Sequence, residues 1–236
     1  MPRPRISVLI PSRDRPLQLC SCVLRLADLC DDHRNFETIY RFDTDDRYAS
    51  SSGFVRELKH CHNACQFVVG PRHSGWKSNH IFYNEAAEEA QGEWLFLYND
   101  DATMLTKGWD TKILNAIHPS LATSMYLDEK DKRPHSWYVP ERKTRFSNCF
   151  PVLHRRAYEA LGVFARHRHA DVYLEWVTQS FQESVSVEIL HKPRISLAPD
   201  AIRGGGWRTD FLSEPLASQL SEDISNLREA FPAGTL

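Results

Sequence analysis

The chain has 236 residues, 42% of them apolar and 25% charged, with a formal net charge of −2. That length supports one large domain or two small ones around a real core. The near-neutral balance gives no global electrostatic case for nucleic acid or an anionic membrane, although arginines cluster at Arg155, Arg156, Arg166 and Arg168.

In chain order, "RISVLIPSRD" (5–14) is a β-branched run ending at Pro11, which predicts a buried first strand and a loop. No long apolar region precedes Pro11, so the segment does not read as a signal peptide, and no run approaches the roughly 18 apolar residues of a spanning helix. The expectation is a soluble, cytoplasmic protein. Residues 17–30 carry Leu17, Cys20, Leu24 and Ala27 at helical spacing. Residues 36–46 place Phe36, Thr38, Tyr40 and Phe42 on one side of a strand that ends in Asp43, Asp45 and Asp46. "HCHNAC" (60–65) has His60, Cys61, His62 and Cys65 without a second ligand pair at zinc-finger distance, and reads as a helix face. Without a secretory signal, the six cysteines are expected to be reduced.

A short strand is predicted over 66–70 and a helix over 78–92, with Ile81, Ala86 and Ala90 inward and Gly92 just past its end. "EWLFLYND" (93–100) is the next strand. Beyond it the pattern predicts a helix over 109–117, a strand over 121–127 and a long polar excursion over 128–145. A short strand and a helix ended by Gly162 follow within 147–164. Then come a helix over 170–181, a strand around 184–190, a glycine-rich loop at 203–207 and a C-terminal helix over 213–230. Strand–helix alternation predicts a single α/β domain with a Rossmann-like, mainly parallel sheet flanked by helices. Its first half, 1–105, binds the ligand, and its second half, 106–236, supplies a partner surface.

Ligands of such sheets bind outside the carboxyl ends of the strands. Three predicted strand ends are polar: Pro11-Ser12-Arg13-Asp14, Asp43-Thr44-Asp45-Asp46 and Asn99-Asp100-Asp101. Two like charges 4 Å apart repel by about 4 kcal/mol at an effective dielectric near 20. The pair Asp100-Asp101 therefore calls for a cation, or for one protonated carboxyl, unless it simply forms a solvated turn. Hard oxygen donors suit Mg2+ or Mn2+, ions that bind one or two carboxylates together with substrate phosphates.

"ISVLIPSRDRPLQLCSCVLRL", "NEAAEEAQGEWLFLYNDDATM" and "FPVLHRRAYEALGVF" resemble, in order and at plausible spacing over roughly 5–190, the family 2 glycosyltransferases of the GT-A fold. The resemblance implies a GT-A domain that moves a sugar from a nucleotide-diphosphate sugar, commonly UDP-linked, to an acceptor hydroxyl with inversion, a hexosyltransferase-like reaction. It places Pro11, Ser12 and Arg13 in the nucleotide loop, Asp43 and Asp45 at the base, and Lys77, Asn79 and Asn84 near the base or ribose. Asn99-Asp100-Asp101 falls on the family's D-x-D motif, with Asp101 as the metal ligand and Asp100 second. Asn99 replaces the motif's first Asp and removes a charge. His191 stands where some members supply a further metal ligand, and otherwise is a polar residue after a strand. Arg203, or Arg208, stands in a loop that either closes over the diphosphate or links to the last helix.

Direct displacement needs a general base to deprotonate the acceptor. The family uses an Asp or Glu at the start of a helix after the acceptor segment, and Asp171 stands there, with Glu175 one turn on. The helix dipole favours its ionised form; the alternative role is a helix cap.

Two other classes compete. A nucleotidyltransferase usually has a glycine- and arginine-rich first loop, and "PSRDRP" lacks glycine. A catalytically silent nucleotide-sugar-binding module is suggested by Asn99 alone. A glycan, lipid-linked sugar, protein or modified nucleobase all suit the acceptor half. The arginine cluster leaves an anionic acceptor open, and nothing in the sequence sets the oligomeric state.

Overall fold

A computed structural model describes residues 4–115, 124–129, 138–139, 144–145, 150–178, 182–191 and 214–231. Arg203, Arg208 and the 203–207 loop lie outside them. Ten strands and seven helices occur among the described residues. The strands are β1 (Ile6–Pro11), β2 (Phe36–Asp43), β3 (Cys65–Gly70), β4 (Trp94–Leu97), β5 (Ala102–Met104), β6 (Ser124–Glu129), β7 (Tyr138–Val139), β8 (Thr144–Arg145), β9 (Val152–His154) and β10 (Gln182–His191). The helices are α1 (Pro16–Leu29), α2 (Ser52–Cys61), α3 (Asn79–Glu89), α4 (Trp109–Asn115), α5 (Arg155–Leu161), α6 (Ala170–Thr178) and α7 (Glu214–Ala230).

Eight strands form one sheet in the order β3-β2-β1-β4-β9-β6-β10-β5, and β7 pairs with β8 apart from it. The β3-β2-β1-β4 half is parallel, as is β6 with β10. β9 runs antiparallel between β4 and β6, and β5 runs antiparallel on the edge of β10. The predicted mainly parallel α/β sheet is the one observed. The β7–β8 pair falls within the expected polar excursion.

Both faces of the sheet are covered, which is why its central strands read as continuous apolar runs. Ile6, Val8, Ile10 and Phe96 face a core with α1, α2 and α4, including Leu26, Phe54 and Trp109. Leu9, Ile39, Leu95 and Leu97 face a second core with α3, α5, α6 and α7, including Tyr83, Leu174 and Leu227. β2 is buried along its whole length, not on the one side that its alternation suggested.

The helix of 17–30 forms, but on a different face from the expected one. Leu19, Cys22, Val23, Leu26 and Ala27 are buried, whereas Leu17 is 82% and Leu24 45% exposed. Both stripes satisfy helical spacing, and only the sheet decides between them. α2 was anticipated only at its end, where 60–65 was read as a helix face, a reading that holds for His60 and Cys61 alone. Its signal is Ser51, whose hydroxyl accepts from the Phe54 N–H at the helix start, and Phe54 with Leu58 one turn apart. His60 and Cys61 end this helix and Cys65 begins β3. Gly162 ends α5 with φ +69°, the left-handed cap its sequence position suggested.

The arginine cluster of the second half is largely structural. Arg155 donates to the carbonyls of Gly92 and Ala90, beyond the end of α3 (2.7 and 2.6 Å). Arg156 donates to Ala230 O at the end of α7 (2.6 Å). Arg166 forms a bidentate pair with the fully buried Asp223, which also accepts from the Tyr173 hydroxyl (2.7 Å). These three side chains tie separate elements of the second half together.

Gly92 sits where two segments nearly touch. Its N–H donates to Ser7 Oγ (2.8 Å), Ser7 donates to buried Glu37 (2.7 Å), and Gln91 N–H donates to the same carboxylate (2.7 Å). A Cβ there would lie 2.6 Å from Ser7 N and Oγ. Gly92→Ala is expected to cost about 1–3 kcal/mol, measured as a lower urea midpoint at unchanged slope; an unchanged midpoint would contradict that packing.

His62 is 3% exposed, stacks on Phe36 at 4.0 Å between centroids, and donates from Nε2 to Phe36 O (3.0 Å). Burial pushes it below the ordinary imidazole value of 6.5, and His80 and His154 shift the same way for the same leading reason. The fold thus prefers neutral imidazoles, while the unfolded chain takes up protons near 6.5. Stability is expected to be complete above that pH and to fall as pH drops through the folded-state values. Urea unfolding at several pH values, with His62→Gln flattening the acid-side slope, checks the sign.

Candidate functional site

The carboxyl ends of β1, β2 and β4 lie side by side because β1 is paired in parallel with both others. The turn after β1 reaches across this rim residue by residue. Ser12 donates from Oγ to Asp100 Oδ2 (2.7 Å) and from its N–H to Arg41 O (3.0 Å). Arg13 bonds Asp43 Oδ2 (2.9 Å) and both oxygens of Asp45. Asp14 adopts φ +52°, alone among non-glycine described residues, and its N–H meets Asp46 Oδ2 (3.0 Å). Arg15 bonds Asp100 Oδ1 (2.9 Å) and lies 3.7 Å from Asp101 Oδ2.

Among the described residues, Arg15 is a cation beside the two carboxylates at the end of β4. Burial pushes the Asp100 carboxyl above the ordinary carboxylate value and Asp101's charge adds to this, while Arg15 and the Ser12 hydroxyl oppose the rise. Asp45 is the converse case: bonding to Arg13 holds its carboxyl low.

A further arginine is fixed beneath the rim. The Arg41 side chain is 2% exposed, pairs with Asp43 Oδ1, and donates to Glu85 Oε2 (2.6 Å) and Pro71 O (2.7 Å). Its guanidinium lies 4.4 Å from the Phe82 ring centroid. Asp43 therefore has Arg41 on one oxygen and Arg13 on the other, with its side chain 6% exposed. Asp45, 44% exposed, also accepts from Arg72 (3.1 Å) and is the more open acid.

Asn99 Oδ1 accepts from the Tyr83 hydroxyl (2.8 Å), which also contacts Tyr98 O (3.2 Å). Ala102 N–H closes the turn onto Asn99 O (3.1 Å). β5 then starts, and across its ladder His191 is the register partner of Ala102. The backbone thus brings Asp101 and His191 to adjacent positions.

Of the other sequence-predicted residues, Pro11 ends β1 at the rim. Lys77 is exposed in a 3-10 turn, Gly75–Ser78, ahead of α3. Asp171 is half-buried in the first turn of α6. Asn84 has a structural place: its amide accepts from Phe164 N and Ala165 N (both 2.9 Å) and donates to Ala165 O (2.8 Å), so it does not reach towards a base. Sequence reasoning missed Arg15, Arg41 and Tyr83. Arg41 had a signal, an arginine inside an otherwise apolar strand. Arg15 had only its place before a helix-starting proline.

Asp100 and Asp101 are hard oxygen donors already matched to a positive charge. No group of three or more His, Cys, Asp or Glu able to hold a metal by itself occurs among the described residues. This donor set fits Mg2+ or Mn2+, which complete their shells with water and phosphate oxygens, better than a closed protein cage.

No protein-family model matches the chain, and no curated protein matches it in sequence. Solved structures do match. A mannosyltransferase from Pyrobaculum calidifontis, in complex with GDP-Man and Mn2+, has TM-score 0.61 and 17% identity over 99% of this chain and 77% of that one. S. aureus TarS 1-349, in complex with UDP, has TM-score 0.59 and 12% identity over 80% of this chain and 61% of that one. Glucosyl-3-phosphoglycerate synthase from Mycobacterium tuberculosis, in complex with Mg2+ and UDP, has TM-score 0.55 and 12% identity over 99% and 82%. These likenesses show the fold: the chain has a GT-A-like architecture, with a mostly parallel sheet flanked by helices. No helix among the described residues is long and apolar enough to cross a membrane.

Proposed function

We propose that this chain is a metal-dependent glycosyltransferase that moves a sugar from a nucleotide-diphosphate sugar to an acceptor hydroxyl, with inversion. The observation that carries this reading is the convergence of the β1 turn, Asp43–Asp46 and Asp100–Asp101 on one rim, with His191 in register with Ala102, the residue after Asp101. Mn2+ or Mg2+ bound there supplies positive charge for the leaving diphosphate. Asp101 and Asp100 hold the ion, and His191 is the candidate third ligand. Asn99, fixed by Tyr83, presents its amide to the ribose or to a bound water.

On the nucleotide side, Pro11, Ser12 and Arg13 shape the loop. Asp43 orients Arg13 and Arg41, and the more exposed Asp45 is the acid offered to the base or ribose. Lys77 and Arg203 are the candidate cations for the nucleotide and diphosphate. Asp171 is the candidate base that takes the proton of the acceptor hydroxyl as the new glycosidic bond forms. The reading divides the chain into a donor half, 1–105, and an acceptor half, 106–236, and takes the cytoplasm as its working compartment. The acceptor class is a glycan, lipid-linked sugar, protein or modified nucleobase.

The test is incubation with a panel of nucleotide sugars, UDP-linked ones first, with and without Mn2+. Metal-dependent release of a nucleoside diphosphate supports the proposal. Release of pyrophosphate from a nucleoside triphosphate would replace it with nucleotidyl transfer. Binding without turnover across many acceptors would leave a silent binding module.

A further inference from the structure

Two of the arginines at the acidic rim, Arg41 and Arg15, differ in their surroundings. Arg41 is locked by Asp43, Glu85, Pro71 O and the Phe82 ring, with 2% of its side chain exposed. Arg15 has 36% of its side chain exposed, and its described ion pairs run to Asp100 and Asp101. It occupies the N-cap position of α1 without contributing a side-chain cap, and Pro16 follows it, so the helix start does not depend on its side chain. Arg15 can leave its carboxylates without unpacking the fold, and Arg41 cannot.

Resting on the donor site proposed above, we infer that Arg15 is an exchangeable counter-ion: it neutralises Asp100 and Asp101 until the donor arrives, then turns to the diphosphate, making ion and nucleotide binding mutually dependent. A divalent ion at these carboxylates competes with the guanidinium for the same oxygens. It also places like charge within a few ångströms of it. The diphosphate removes that conflict, because it offers the guanidinium a bidentate anionic partner. The ion alone therefore displaces Arg15 at a cost, whereas ion plus diphosphate does not. Ser12 stays on Asp100 Oδ2 and keeps that carboxylate oriented through the exchange. By linkage, the nucleotide improves ion binding by the same factor as the ion improves nucleotide binding.

The experiment measures Mn2+ binding to the full chain by the spin-resonance signal of free Mn2+ at neutral pH. It is run alone and with UDP or GDP, with Mn2+–nucleotide complexation accounted for. Wild type is expected to bind Mn2+ weakly alone and much more tightly with nucleotide. Arg15→Gln is expected to bind Mn2+ alone about ten-fold more tightly, and to lose about that factor from the nucleotide's enhancement, within the ordinary range of coupling between sites. Arg15→Lys, which keeps the charge, is expected to stay weak for Mn2+ alone, which separates charge from packing. Arg15→Gln binding Mn2+ alone no more tightly than wild type, while wild type retains nucleotide-enhanced binding, would overturn the inference and leave the donor site standing. Absence of Mn2+ binding by wild type with either nucleotide would overturn the donor site, and this inference with it.

Discussion

Asp101→Ala is expected to abolish metal-dependent nucleotide-sugar binding while leaving the fold nearly unchanged. The side chain of Asp101 is 12% exposed, and its contact with Arg15 is long, at 3.7 Å. The turn that carries it is closed by backbone, Ala102 N–H to Asn99 O, and the following strand pairs through Ala102 itself. Losing the carboxylate leaves that backbone closure in place. The effect on a bound ion is large. Even partners one shell out from a metal are commonly worth about 10–100-fold in affinity, and a direct charged ligand is expected to exceed that. Asp100→Ala is a poorer test, because it strands the buried Ser12 hydroxyl and removes Arg15's shorter ion pair, and so mixes folding with binding. Titration of UDP with and without Mn2+ gives the answer. Unchanged Mn2+-dependent binding by the Asp101 variant would remove Asp101 from the site.

The sequence made the rim legible because its signal is one of composition at strand ends. Acids and a serine following apolar runs need no knowledge of topology, and parallel pairing then brings them together. Charge alone made Asp100-Asp101 legible as a pair needing a cation or one protonated carboxyl, with a solvated turn as the alternative. Which cation stands there was not legible. Arg13 and Arg15 sit two residues apart in one loop, and only the pairing of β1 between β2 and β4 sends one to Asp45 and the other to Asp100.

The same limit applies to α1. Its two apolar stripes are equivalent in sequence, and the sheet buries the one holding Leu19, Val23 and Leu26. Arg155, Arg156 and Arg166 read as a charge cluster, yet the structure uses them on carbonyls and a buried carboxylate distant in sequence. Short elements were hardest to read. β5 has three residues, too few for any period, and exists through its ladder with β10.

Asp171→Asn is expected to leave donor binding intact and to reduce transfer by about 10²–10⁴-fold, the usual worth of a general base. The substitution keeps side-chain size and the oxygen that can accept a hydrogen bond, and it removes the basicity. Asp171 is in the first turn of α6, so the loss of one negative charge there weakens the helix by about 0.3–1 kcal/mol. The helix is held independently by buried Tyr173, Leu174 and Val177, and by the Tyr173 hydroxyl on Asp223 (2.7 Å). A purely structural role at the helix start would therefore show as a slightly lower melting temperature with transfer preserved. A base role would show as a fall in kcat at unchanged donor KM, with loss of the acid-side limb of the pH–rate profile, because the group that must be ionised is gone. Near-normal transfer by the variant would place the base on another residue. Loss of donor binding together with transfer would mean that α6 shapes the donor site instead of the acceptor site.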